Sequence, residues 1–131
     1  MKQSVMLTIS SLLLILLLTF HLAHDIVRGY EPGGLSNLIG GGLITVVLLY
    51  GTLVLAERRS GYIIKLLGSF FSLVVPYIHM KGKGVGTASR LAGTSGHFFF
   101  VWVLLAIGVL GLFSFILSAR GLWNFPWRRS R

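Results

Sequence analysis

Four apolar segments of about bilayer length, residues 4–24, 37–56, 62–80 and 97–118, constrain this chain more than any other feature. A helix needs about 20 residues to cross a hydrocarbon core. Backbone amides inside hydrocarbon must pair among themselves, so only helices and closed barrels are open to such segments. The run Ser11-Leu-Leu-Leu-Ile-Leu-Leu-Leu-Thr19 has none of the in/out alternation of a barrel strand. The pattern therefore predicts an all-α integral membrane protein, one domain over residues 1–131, with four transmembrane helices in two hairpins forming an up-down-up-down bundle. Composition agrees. With 54% hydrophobic and 11% charged residues and a mean hydropathy of +0.83, a 131-residue chain carries more apolar surface than a soluble domain of its size can bury.

The connections are short. Val27 to Ser36 holds Gly29, Pro32, Gly33 and Gly34, which continue neither neighbouring helix. Glu57-Arg58-Arg59-Ser60-Gly61 reads as a tight turn, and residues 81–96 have a linker's composition. The tail over 121–131 places Trp123, Phe125, Pro126 and Trp127 before a basic end, suited to the headgroup zone. The first apolar run is followed by His21-Leu-Ala-His-Asp25 and not by a small-x-small cleavage site, so it is expected to be retained as a span.

Basic residues set the orientation. Lys2, Arg58, Arg59, Lys65, Arg120, Arg128, Arg129 and Arg131 share one side, and Arg28, Lys81, Lys83 and Arg90 the other. The bias predicts a multi-pass protein of the inner (plasma) membrane of a bacterium-like cell, with N- and C-termini cytoplasmic. The net charge of +9 is spread over loops and termini, so its expected partner is the lipid bilayer, with anionic headgroups at the basic termini, and not nucleic acid. Cysteine is absent, which removes disulfides, thiolate metal sites and cysteine nucleophiles.

Small and polar residues recur at helical spacing. Lys65, Gly68, Ser69, Ser72, Pro76 and His79 form one stripe of the third helix, expected to face the bundle. Matching stripes are Asn37, Gly41, Thr45, Leu48 and Thr52, and His97, Val101, Leu104, Gly108, Gly111 and Ser118. Such faces permit close helix approach in lipid. Lys65 lies about one turn inside its helix, where its stem is expected to lift the ammonium to the interface. The three acidic residues, Asp25, Glu31 and Glu57, all lie outside the middles of the spans, so a proton-coupled relay lacks its usual carboxylate.

All four histidines fall at helix ends that this topology brings to one membrane face. His21 and Asp25 are four residues apart and His24 three from His21, so they project within about one turn of each other. His79 and His97 arrive from the third and fourth helices. Imidazoles with a carboxylate at this spacing chelate divalent metals, which makes His21, His24, Asp25, His79 and His97 candidate ligands, with Glu31 as an outer partner. Read structurally, the same residues are interfacial histidines, with Asp25 pairing with Arg28.

Three functional readings stay open. The first is a small non-enzymatic accessory or assembly component that forms homo-oligomers or joins a larger membrane-protein complex. The second is a metal-binding or metal-transport protein using the extracytoplasmic histidine cluster. The third is a haem-bearing redox subunit, with His21 and His79 or His97 as axial ligands and Phe98, Phe99, Phe100 and Trp102 lining the slot. There is no catalytic signature: Ser95 beside His97 has neither an orienting carboxylate nor an oxyanion hole in the local sequence.

Overall fold

A computed structural model describes residues 2–30, 34–81 and 91–126. Among them are four long helices and no strand: α1 (Gln3–Val27), α2 (Gly34–Leu49) continued by a π-helical turn (Tyr50–Val54), α3 (Arg59–Lys81) and α4 (His97–Trp123). Each is long and apolar enough to cross a membrane, α2 and its π turn counting as one 21-residue segment. Glu31, residues 82–90, Trp127 and the arginines at 128, 129 and 131 lie outside the described residues.

Several helix boundaries differ from those read in the sequence: α2 begins already at Gly34, which the sequence assigns to the loop, α4 runs five residues beyond 118 and takes Gly121 to Trp123 from the expected tail, and two further differences have a local reason. α1 runs on to Val27, through its polar end, and stops in a Schellman motif. Gly29 adopts φ +68°, its N–H donates to the Ile26 carbonyl (3.1 Å), and the Tyr30 N–H donates to the Asp25 carbonyl (2.8 Å). The second connection is shorter than the expected turn, because α3 starts at Arg59 and takes Gly61 into its first turn. Gly61 serves a close approach: a side chain there would strike the Leu55 carbonyl.

The π turn is marked by the Leu55 N–H, which donates to the Tyr50 carbonyl five residues back (3.1 Å). The extra residue rotates the end of the segment, so that Gly51 and Thr52 turn inward while Leu53 and Val54 stay exposed. Gly51 lies against Ile64 of α3, where a Cβ would come within 2.5 Å of a side-chain methyl.

Packing is most extensive between α3 and α4, then between α1 and α4. Gly111 of α4 faces Ser69 and Ser72 of α3, and Pro76 packs against Gly108. Over Gly34–Leu49, α2 buries no residue; it leans on its neighbours where Gly41 meets Leu22. Between α1, α2 and α3 lies an apolar groove of about 790 Å³, lined by Leu18, Leu22, Ile44, Leu48, Ile64 and Phe71 among others.

Along its length the bundle is built in three layers. Toward the end carrying Gln3 and Leu117, which hydrogen-bond (3.0 Å), sit the buried Ser10, Ser11, Ser69, Ser114 and Ser118 with Thr52 and Lys65, while the buried Ser72 lies nearer the middle against Gly111. The Ser114 hydroxyl donates to that of Ser10 (3.0 Å), joining α4 to α1. Lys65 does not reach water: it is only 3% exposed, and its ammonium donates to the Ala56 carbonyl (2.9 Å) beside the Tyr62 ring. Ala56 lies in the connection between the π turn and α3, so the stem carries the ammonium to the ends of these helices, where a connection carbonyl accepts its hydrogen bond. The middle layer is apolar, formed by Leu14, Val103 and Ile107 with Leu17, Leu18 and Leu110. At the opposite end, Leu91, Phe100 and Leu104 pack with Tyr30, Val75 and Val101 around the histidines.

Candidate metal centre

Two helices deliver donors to one point, and a third walls it. Helical spacing on α1 puts His21 and Asp25 on one face, with the His21 Nε2 3.5 Å from the Asp25 Oδ2. From α3, His79 brings its Nε2 to 3.1 Å from the His21 Nε2, with the two rings edge to face (centroids 4.6 Å apart, 89°). One donor atom from each of His21, Asp25 and His79 falls within 4.8 Å of the others. His21 and Asp25 are buried, and His79 is half-buried.

From α4 comes Phe100, 1% exposed, its ring 5.6 Å from those of His21 and His79 and 5.7 Å from that of His24. It is the common wall of three imidazoles. Its neighbours Phe98 (81% exposed) and Trp102 (64% exposed) turn outward, so of the aromatic run named as a slot lining only Phe100 stands fully inside. Sequence inspection had no means of choosing among Phe98, Phe99 and Phe100 without the phase of α4. Leu91 and Tyr30 cover this end with Phe100 and carry no chemical signature in the sequence.

His24 reaches the cluster through Asp25, its Nδ1 3.6 Å from the second carboxylate oxygen, Oδ1. His97 opens α4, its backbone N–H on the Thr94 carbonyl (3.3 Å), and does not share the donor cluster of His21, Asp25 and His79. Arg28, the expected partner of Asp25, instead donates to the Ser95 hydroxyl (3.1 Å).

The His21–His79 contact is a hydrogen bond between the two rings, and its length also bears on which metal chemistry the pair suits. Ligands of one tetrahedral ion, each about 2.0–2.1 Å from it, stand roughly 3.3 Å apart, whereas an axial pair on opposite sides of an iron stands about 4 Å apart. The His21–His79 separation of 3.1 Å matches the first. With the two Nε2 atoms in direct contact and Phe100 packed against both rings, there is no gap for a macrocycle between them. Two neutral imidazoles and one carboxylate form a borderline donor set, fit for zinc-class divalent ions and ill suited to magnesium or calcium, which prefer oxygen throughout. Comparison with known proteins finds no family model that matches this chain, no curated relative and no similar solved structure.

Proposed function

We propose that this chain is a multi-pass membrane protein that holds a zinc-class divalent metal at its extracytoplasmic face. In this reading the four helices cross as two hairpins, both termini are cytoplasmic, and the histidine layer opens outward. The observation that carries it is the convergence of the His21 Nε2, His79 Nε2 and Asp25 Oδ2 from two helices. Three protein ligands leave a fourth position for water or an incoming ligand, as in exchangeable sites and unlike closed structural ones. His24, on the other carboxylate oxygen, would hold Asp25 in orientation. Element analysis of chain purified without chelators and supplied with zinc tests this. About one equivalent is expected in the wild type and below a tenth in His21→Ala and His79→Ala. A wild type that retains no zinc overturns the reading.

A second reading, an accessory component that self-associates, is favoured by α2, which buries none of its residues over Gly34–Leu49 and borders the apolar groove. The cysteine-free chain makes the check direct. A single Val46→Cys on the exposed face of α2 should give a disulfide dimer in native membranes, and monomer alone counts against it.

A further inference from the structure

We propose that the metal reaches its centre through an outer position formed by the His24 Nδ1 and the Asp25 Oδ1, the carboxylate passing the ion from His24 to His21 and His79. This rests on the metal reading above. The two oxygens of Asp25 face different imidazoles, Oδ2 toward His21 at 3.5 Å and Oδ1 toward His24 at 3.6 Å. Both separations exceed a good hydrogen bond and lie near the roughly 3.3 Å between two donors on one tetrahedral ion. One carboxylate thus offers two coordination positions side by side.

His24 itself points to a ligand. Both its ring nitrogens are buried, and neither has a hydrogen-bond partner among the described residues. A neutral imidazole carries one donor and one acceptor, and leaving both unmade inside a protein is costly, so such a group calls for an ion or water. The rings of Tyr30 (6.1 Å), Phe99 (5.7 Å) and Phe100 (5.7 Å) hold it in place. Its Nε2 faces the connection into α4, where a Cβ on Gly96 would lie 3.4 Å away. Its Nδ1 faces the carboxylate. His24 stands three residues nearer the end of α1 than His21 and is less buried.

Charge argues for one ion in two alternating positions over two ions at once. A single carboxylate serves both positions, and the Arg28 guanidinium lies close by, within 2.7 Å of that same Gly96 Cβ position. In the transfer the ion exchanges the Asp25 Oδ1 for Oδ2, leaves the His24 Nδ1, and gains the His21 and His79 Nε2 atoms. The proton those two imidazoles share moves to the Nδ1 of the ring that held it.

A stepping position and an ordinary ligand differ in the sign of one rate. Removing a ligand speeds release, whereas removing a stepping position slows loading and release together. The test follows zinc uptake by the full chain in detergent micelles, and its release to a chromophoric chelator, by stopped flow. His24→Gln, which keeps the side chain's bulk, is compared with His24→Ala, so that a folding failure of the smaller variant leaves the test intact. Expected is a fall of about tenfold in both rates, equivalent to about 1.4 kcal/mol in each barrier. Faster release, unchanged rates, or complete loss of zinc from the His24→Gln variant overturns the proposal. A wild type that takes up no zinc is a separate result and removes the metal reading itself.

Discussion

Gly108 and Gly111 stand one turn apart on α4, and replacing each by alanine should have opposite consequences. At Gly108 the new Cβ would meet the Pro76 ring at 3.6 Å, an ordinary contact. At Gly111 it would come 2.5 Å from the Ser72 hydroxyl and 3.4 Å from the Ser69 carbonyl. Relief there takes one of two routes. Either α3 and α4 part by about 0.9 Å to restore ordinary contact, which as overpacking costs about 1–3 kcal/mol. Or the Ser72 hydroxyl swings away and gives up its bond to the Ser69 carbonyl (2.6 Å), a loss of about 1 kcal/mol. Both substitutions also gain up to about 1 kcal/mol of helix propensity, which cancels when the variants are compared with each other. Gly111→Ala is therefore expected to be about 1–3 kcal/mol less stable than Gly108→Ala. The assay is reversible unfolding in mixed micelles with increasing dodecyl sulfate, read by circular dichroism. In a Ser72→Ala background, where the offending oxygen is absent, the gap should close. Equal stability of the two single variants, or a gap that survives Ser72→Ala, would refute the reasoning.

Gly61→Ala brings a Cβ against backbone at Leu55, which no rotamer relieves, and should cost at or above the ~3 kcal/mol top of the overpacking range in the same titration; a smaller effect than Gly111→Ala would show that the turn gives way. Lys65→Met strips the Ala56 carbonyl of its donor and should destabilise by about 1–3 kcal/mol, whereas unchanged stability would mean that water serves the carbonyl equally well. His97→Ala, outside the donor cluster, should retain zinc as the wild type does, and loss of metal would restore it to the ligand set. Nitrogen-15 spectra of labelled histidine should show one Nε2–H tautomer from the His21–His79 pair without metal and only Nδ1–H tautomers with zinc bound, since both Nε2 atoms then face the ion; a spectrum indifferent to zinc contradicts Nε2 ligation.

The helices were legible because runs of apolar residues of bilayer length admit few other backbones, and their ends were less so. Polar residues such as His21, His24 and Asp25 suggested a helix ending near residue 24, but α1 ends where Gly29 closes a Schellman motif. Gly61 read as a turn residue and serves interhelical contact, a distinction that depends on what the Leu55 carbonyl does across the turn. The glycine stripes were visible, but not which glycine touches and which merely lies open: Gly40 and Gly42 have nothing within 4 Å, while their neighbour Gly41 meets Leu22. At the site, the spacing of His21 and Asp25 and the arrival of His79 at the same end follow from helix periodicity and topology. That His97 stands apart and that Phe100 walls the imidazoles depends on the rotation of α4 about its axis, and an almost uniformly apolar helix carries little periodic signal to fix it.

The apolar middle layer of Leu14, Val103 and Ile107 separates the histidines from the lysine and serines at the far end. An unescorted divalent ion crossing such a layer would pay a solvation penalty of tens of kcal/mol. In the proposed membrane reading, such a layer would act as an insulator with a polar terminal at each end, and an ion held at the histidines would dwell there without dissipating a membrane potential. The Ser72–Gly111 contact closes the seam between α3 and α4 beside that layer, so the side of the layer facing α3 is sealed by close backbone approach and not by bulky side chains.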